Sequence, residues 1–228
     1  DLIYNIKLGE KALIGKINFI GDKKIKNRKL RNVIVSEENK FWKFLSNKKY
    51  LDENRIQLDI RLLKNYYINK GYYNVLIENS SAKFLDNNTF DLVFTITAGN
   101  KFLFNEAKLI LPTDYDPKNF EKVNKVLQSL KNEVYSYNKI EDILDEIDQI
   151  ALSEQYEFID ADVEETIIGK NKLDFTVIVK ETEKFYVEKI NIYGNNITRE
   201  KVIRDTFIVD EGDAFNKILH NKTINTIK

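Results

Sequence analysis

Residues 174–195, DFTVIVKETEKFYVEKINIYGN, mark the place where one building block of the chain ends and the next begins. Apolar Phe175, Val177 and Val179 occupy every second position, a pattern typical of a half-buried β-strand. A charged connection follows, and then a second apolar run that stops at Gly194-Asn195, a dipeptide that favours a turn. We therefore expect a strand, a joint and another strand.

The same joint recurs along the chain at consistent spacings. Residues 11–21 align with 184–194 at an offset of 173, with five of eleven positions identical. Residues 1–9 align with 91–99 at an offset of 90, with four of nine identical, and Asp91 aligns with Asp174 at an offset of 83. Because 90 plus 83 equals 173, the three offsets define one frame. The frame predicts a tandem repeat.

The frame divides the chain into four segments. We expect residues 1–8 to be the last strand of a preceding block, 9–99 and 100–183 to be complete blocks, and 184–228 to be the truncated start of another. A complete block contains a strand, two helices and a closing hairpin, and the last segment begins with a strand over 187–193. Each element buries one apolar face, so two helices must cover one face of a three-stranded sheet. The predicted fold class is α+β, with tandem β-α-α-β-β modules.

Local signals predict where the helices begin and end. We expect Asp52 to cap the longer helix of the first block and Gly71 to stop it. In the second block, we expect Asp116-Pro117 to cap and start the first helix, and Ile143 and Ile147 to lie on the apolar stripe of the second.

Composition and charge exclude several classes of function. Lys plus Arg and Asp plus Glu both total 36, so the net charge is zero, which argues against a nucleic-acid partner. No run of about 18 apolar residues occurs, so we expect no transmembrane segment in this chain. Cysteine is absent, which removes disulfides and thiolate chemistry.

Two acidic clusters and the single histidine, His220, are the residues on which a catalytic or metal site would draw. The clusters are Glu141, Asp142, Asp145, Glu146 and Asp148 on a predicted helix, and Asp160, Asp162, Glu164 and Glu165 on a predicted strand. Neither has the spacing of a calcium loop, and both fit solvated faces. We expect no enzyme activity, no metal and no cofactor. A hydrolase that uses the acidic clusters is the distant alternative.

The second strand of each block is a candidate binding site. If the first strand flanks the third, the second strand lies at an edge and displays unpaired N–H and C=O groups, to which an extended peptide can pair by β-augmentation. The candidate edge residues are Val75, Ile77, Asn79, Ser81 and Lys83 within 75–84, and Ile159, Ala161, Val163 and Glu165 within 158–168. Alternatively, the charged residues there only guard the edge against aggregation.

The linker over residues 36–50 between the two helices of the first block carries Phe41, Trp42, Phe44 and Leu45 among charged residues. Exposed, this group would form a docking patch for a partner. Folded under the helices, it would extend the core. We favour the second interpretation.

These features resemble POTRA domains. The resemblance rests on the β-α-α-β-β unit, the strand ends KINFIG (16–21) and KINIYG (189–194), the helix exit Lys70-Gly71-Tyr72 and the loop EGDAFN (211–216). The most similar family is BamA, the outer-membrane β-barrel assembly factors of Gram-negative bacteria. The Phe41-Trp42 linker is similar to the interhelical loop of that family's third POTRA domain. The resemblance implies a third-like domain over 9–99, a fourth-like domain over 100–183 and the start of a fifth-like domain.

The resemblance also implies a function. Such a chain would be a periplasmic scaffold within an outer-membrane protein, binding accessory lipoproteins of the BamD and BamB type and unfolded outer-membrane protein precursors. It would deliver the precursors to a C-terminal membrane barrel that this chain lacks. The implied docking residues are Phe41, Trp42, Phe44, Arg204, Asp205 and Glu211, and Thr206 stands where the family has an acidic residue tied to BamD docking. The alternative is the POTRA arm of a two-partner-secretion or other outer-membrane translocation pore.

Overall fold

The computed structural model describes residues 11–43, 46–85, 88–154, 156, 159–181, 183, 185–195, 198–215, 219–220, 223–224 and 226. The expected strand over residues 1–8 lies outside the described residues. The chain divides into two compact units, one of residues 1–103 with 134–138 and one of residues 104–133 with 139–228. The strands are β1 (Leu13–Asp22), β2 (Leu76–Leu85), β3 (Thr89–Thr97), β4 (Leu103–Ile110), β5 (Ile159–Ile168) and β6 (Lys172–Glu181). The helices are α1 (Asn27–Arg31), α2 (Glu53–Ile68), α3 (Glu121–Ser129), α4 (Tyr137–Ser153) and α5 (Glu200–Arg204).

Each of the two sheets has three strands, and both follow the same order. The first sheet is β1-β3-β2, with β1 parallel and β2 antiparallel to β3. The second is β4-β6-β5, with β5 antiparallel to β6. In each sheet, the last of its three strands along the chain, β3 or β6, lies in the centre. The predicted α+β fold of three-stranded sheets and helices is confirmed, and so is the edge position of the second strand.

The first sheet buries one side of its alternating strands. Leu92, Phe94 and Ile96 of β3 are completely buried, and Ile17 and Phe19 of β1 pack into the same core. Apolar residues at every second position place their side chains on one face of a strand. The core of this unit therefore lies between that face and the helices.

Helix α2 begins and ends where local sequence signals place its boundaries. The carboxylate of Asp52 accepts a hydrogen bond from the N–H of Arg55 at 2.8 Å, which caps the first turn. The helix stops before Gly71, whose φ of +91° lies in the left-handed region. Between these points Leu63 and Tyr67 are completely buried and cover the sheet. Both predicted boundaries are confirmed.

The second sheet is covered in the same way by α3 and α4. Asp116 accepts a hydrogen bond from the N–H of Lys118 at 3.0 Å, and the turn that leads into α3 has proline at its start, as predicted. Ile143 and Ile147 of α4 are buried. They belong to the apolar stripe expected at helical spacing.

The predicted strand over residues 187–193 is wrong. The structure has no strand there and forms only an isolated bridge between Tyr186 and Ala214. In both sheets the first strand of a block pairs with the third strand of the same block. The described residues after 184 contain no such strand, so this segment lacks the partner that would complete its ladder of hydrogen bonds.

Gly21 near the end of β1 yields a test of the sheet geometry. Its φ is +88°, and a Cβ atom there would lie 2.4 Å from the carbonyl oxygen of Ile96. Gly99 has a similar φ of +70° but no atom within 4 Å of its Cβ position. We expect Gly99→Ala to cost about 1–2 kcal/mol through backbone strain alone. Gly21→Ala should cost about 3 kcal/mol or more, because the strand β3 must move as well. Urea unfolding of both variants measures the difference, and equal losses would contradict the close approach.

Candidate binding edges and an exposed aromatic pair

The outer edge of β1 is covered by the chain's own linker, residues 36–50, and by Leu51 directly after it. The N–H of Asn39 donates to the carbonyl of Ile14 at 2.7 Å, and the N–H of Leu51 donates to the carbonyl of Ala12 at 2.8 Å. Backbone groups on an edge strand otherwise remain open to pairing with another chain. This part of β1 is therefore closed to an added strand.

Two side chains extend this cover along β1. The carboxylate of Glu38 accepts a hydrogen bond from the N–H of Ile17 at 3.2 Å, and the guanidinium of Arg31 donates to the carbonyl of Ile17 at 2.9 Å. Arg31 and Glu38 also form an ion pair at 3.0 Å, joined by Lys40 at 3.3 Å. The pair thus satisfies both backbone groups of Ile17 that face away from the sheet.

Asp59, which sequence reasoning missed, anchors the beginning of the linker. This carboxylate is completely buried and accepts hydrogen bonds from the N–H groups of Val35 at 2.6 Å and Ser36 at 3.3 Å. A buried carboxylate is costly unless it is hydrogen-bonded, so its position fixes the linker strongly. The available signal was an acidic residue within the apolar stripe of α2, between Ile56 and Leu63.

The outer edge of β2 is open in the part of the chain that the structure describes. β2 pairs with β3 on one side, and no described strand or loop backbone bonds to its other side. β5 likewise pairs with β6 alone among the described strands. On such an edge, every second residue directs its N–H and C=O groups outward. Both strands thus lie at an edge of their sheet among the described strands.

Most of the predicted edge residues lie on these strands. Those in β2 are Ile77, Asn79, Ser81 and Lys83, and those in β5 are Ile159, Ala161, Val163 and Glu165. The predicted position of Val75 on the edge strand is wrong. Val75 precedes β2, is buried, and donates its N–H to the carbonyl of Tyr72 at 3.2 Å. It belongs to the turn after α2 and to the core, because this turn must close before the edge strand starts.

Phe41 and Trp42 form an exposed aromatic pair, so the favoured prediction that they extend the core is wrong. Phe41 is 87% exposed and Trp42 is 60% exposed. Their rings meet edge to face at 4.7 Å, and the ammonium of Lys40 lies 5.6 Å from the Trp42 ring. The linker backbone is held along the edge of the sheet, so these rings lie outside the core. Phe44 and Leu45 lie outside the described residues.

Arg204 and Glu211 contact one another in the last segment of the chain, after residue 184. Arg204 forms ion pairs with Glu200 at 2.8 Å and with Glu211 at 3.3 Å, and it donates to the carbonyl of Ile190 at 2.9 Å. Glu211 accepts from the N–H of Ile190 at 2.9 Å, and this bond, together with Arg204, lowers the pKa of Glu211 against the opposing effect of desolvation. Both predicted docking residues thus hold the backbone at Ile190, while Asp205 beside them is exposed.

The acidic clusters have ordinary surface partners. Glu146 pairs with Lys122 at 2.7 Å, and Asp162 pairs with Lys180. Within the described ranges, no three or more His, Asp or Glu side chains are grouped so that they could hold a metal ion. The described helices include none that combines the length and the apolar composition needed to cross a bilayer.

The cover over β1 should weaken in acid, because Glu38 acts through its charge. Burial raises the pKa of Glu38, but the Ile17 N–H, Arg31 and Lys40 together outweigh this effect, and the pKa ends below 4.5. A group whose pKa is lowered by folding contributes stability that is present above its unfolded pKa and lost as the pH falls through the folded value. At neutral pH, we expect the unfolding free energy of the wild type to exceed that of Glu38→Gln. This difference in unfolding free energy should shrink below about pH 4.5.

Denaturant unfolding of both proteins at several pH values measures this difference. Glu164→Gln, which changes an exposed carboxylate on β5, is the matched control and should change stability little at any pH. A difference for Glu38→Gln that stays constant from neutral to acidic pH would contradict the role of the charged carboxylate.

The comparisons with known proteins agree with this architecture. Residues 12–99 match the family model of the POTRA domain, described as a surface antigen variable number repeat. Over 206 residues, or 90% of its length, the chain is 25% identical to the outer membrane protein assembly factor BamA of Neisseria meningitidis. It spans 26% of that relative, so it corresponds to about a quarter of the curated protein.

Two solved structures share the fold. The crystal structure of Haemophilus influenzae BamA POTRA3-5 gives a TM-score of 0.66 at 17% identity, covering 96% of this chain and 85% of that one. BamA from Haemophilus ducreyi lacking POTRA domains 1-3 gives a TM-score of 0.51 at 11% identity, covering 75% of this chain and 29% of that one. Residues 12–99 therefore form a POTRA domain, and over most of its length the chain is similar in sequence to BamA and in fold to its POTRA domains.

Proposed function

We propose that this chain is a non-catalytic periplasmic scaffold of the outer-membrane protein assembly machinery, carried by an outer-membrane protein. It binds unfolded β-barrel precursors at the open edges of β2 and β5 and passes them to a membrane barrel elsewhere in the protein. One observation carries the proposal: the linker covers the outer edge of β1, whereas the described residues leave that of β2 open. The similarity to BamA supports the assignment.

The binding mode is β-augmentation. An extended precursor segment adds beside β2 and pairs with its outward N–H and C=O groups, so that affinity comes from main-chain hydrogen bonds. β2 and β5 each have ten residues, which is long enough to pair with a whole barrel strand. Main-chain pairing tolerates many side chains. It therefore suits clients that share extended, alternating strands and little else.

The charged residues on these edges are compatible with binding. Lys83 in β2 and Glu164 and Glu165 in β5 disfavour direct pairing with the rigid edge of another folded sheet, as charges on natural edge strands do. A single unfolded segment can place its own side chains to avoid or pair with these charges. The edges can thus resist aggregation and still accept a flexible client.

We expect a peptide with the alternating pattern of a barrel strand to perturb the backbone amide NMR signals of β2 and β5 in the 228-residue chain. The amides of residues 13–17 in β1 should change little, because the linker already occupies that edge. N-methylation of every second peptide residue, on the edge that pairs, should weaken binding by about tenfold or more because it removes the main-chain donors.

The matched control is the same peptide N-methylated at the intervening residues, whose N–H groups point away from the sheet. The two methylated peptides share composition and length. If both bind as tightly as the parent peptide, or if the perturbed amides map to β1, main-chain pairing at β2 and β5 is wrong.

We further propose that the Phe41–Trp42 pair docks an accessory lipoprotein of the same machinery, of the BamD or BamB type. Two large aromatic rings exposed side by side cost free energy in water, and Trp and Phe are enriched at the centres of interfaces. In the last segment of the chain, the exposed Asp205 would supply a charged contact, while Arg204 and Glu211 hold the local backbone. Binding of unfolded precursors is expected of a translocation pore as well as of the assembly machinery. Docking of an accessory lipoprotein is therefore the property that distinguishes the two functions.

Phe41→Ala and Trp42→Ala should each weaken binding of the purified lipoprotein partner by about tenfold or more. Neither should change the unfolding free energy by more than about 0.5 kcal/mol, since both rings are exposed. Trp42 is the single tryptophan, so its emission should shift to shorter wavelength when the partner excludes water. Tyr193→Ala removes another ring, 86% exposed, and is the matched control. Unchanged binding by both variants would refute docking at this pair.

A further inference from the structure

Five lysines surround a cavity of about 420 Å³ in the first unit. The residues that line it are Lys24, Ile25, Lys26, Lys29, Tyr66, Lys70, Tyr72 and Lys101. None of these is acidic, although the whole chain has equal numbers of acidic and basic residues. The cavity is therefore a local concentration of positive charge in a neutral protein.

The lysines converge from distant parts of the sequence. Three come from the segment 23–31, which holds six basic residues and no acidic one. Lys70 follows the end of α2, and Lys101 follows β3. Only folding brings these three segments together, so the concentration of charge belongs to the tertiary structure.

The loop that carries Lys24 and Lys26 along the cavity is held in place by bonds within the protein. The hydroxyl of the buried Tyr67 donates to the carbonyl of Lys23 at 2.6 Å and holds the loop that carries Lys24 and Lys26. Burial raises the pKa of Tyr67, so its hydroxyl keeps the donated proton. Lys24 is itself paired with Asp22 at 2.8 Å. A loop that is already ordered loses little entropy on binding.

The four other lysines have no carboxylate partner among the described residues. Lys26 and Lys29 have no ion pair there, and the ammonium groups of Lys70 and Lys101 lie 5.8 Å and 5.6 Å from the ring centres of Tyr66 and Tyr72. Like charges gathered in one cavity repel one another and raise the local concentration of anions. An anion that contacts several ammonium groups would relieve this repulsion.

We propose that this cavity binds a phosphate group. Each ammonium is a compact charge with three donors, and lysine is an established phosphate ligand. A phosphate presents several oxygens in different directions and can accept from lysines on three segments at once, which a planar carboxylate does less well. The volume lies within the range of small-molecule sites and leaves room for the group that the phosphate esterifies. That group belongs either to a phospholipid headgroup or to a soluble phosphate compound.

Isothermal titration of the 228-residue chain with inorganic pyrophosphate and with glycerol 3-phosphate tests the soluble source. Flotation with phosphatidylcholine vesicles, with and without phosphatidylglycerol, tests the lipid source. The variant Lys26→Gln/Lys70→Gln/Lys101→Gln removes one lysine from each segment. The matched control Lys16→Gln/Lys48→Gln/Lys64→Gln removes the same charge from exposed lysines outside the cavity.

We expect the cavity variant to weaken binding by about tenfold or more and the control to weaken it by no more than about twofold. Loss of pyrophosphate or glycerol phosphate binding identifies a soluble ligand, and loss of binding to phosphatidylglycerol vesicles alone identifies a lipid headgroup. Equal weakening by both variants would show a general charge effect and overturn the proposal. So would equally tight binding of succinate, or no binding of any phosphate probe by the wild-type chain.

Discussion

Parallel pairing of β1 with β3 is the constraint on which the rest of the first unit depends. Two parallel strands cannot be joined by a tight turn, so the chain must cross over between them. Residues 23–75 make part of this crossover with α1, the linker and α2, and β2 then returns to β3 by a hairpin. β1 and β2 therefore lie at opposite edges. The architecture thus produces two edges, and each must be covered or left for a partner.

The chain covers the β1 edge with its own backbone, whereas its described residues leave the β2 edge without a backbone partner. Side chains from α1, the linker and α2 hold the cover in place, since Arg31, Glu38 and Asp59 all bond to main-chain groups of β1 or of the linker. This also explains why Phe41 is exposed. The linker must run along β1 to satisfy its hydrogen bonds, and that path keeps Phe41 and Trp42 away from the space beneath the helices. Covering an edge and presenting an aromatic pair are two results of one arrangement.

Sequence patterns predicted those features that short-range chemistry determines. Asp52 as a helix cap and Gly71 as a helix stop follow from local signals, and the α+β class follows from the need of each element to bury one face. The order of the strands was only a condition for the predicted edge position, and the structure supplied it. Asp59 could not be placed in the same way, because its partner Val35 lies 24 residues away. The exposure of Trp42 was missed for the related reason that hydrophobicity alone assigns an aromatic residue to the core, whereas backbone hydrogen bonds decided its position.

A recurring aspartate shows why the repeat could be recognised at all. Asp91 accepts from the N–H of Lys16 at 2.9 Å, and Asp174 accepts from the N–H of Glu106 at 3.2 Å. The two donors are 90 residues apart and the two acceptors 83 apart, the same offsets that relate the blocks in the sequence. The register of β1 shifts at this point, so an N–H there needs an acceptor from a side chain. Apolar core positions can exchange one aliphatic or aromatic residue for another and stay buried. A side chain that accepts a hydrogen bond from a strand N–H must carry an oxygen at the right reach, which few residue types do. The aspartate can therefore recur at this point while the apolar residues around it vary.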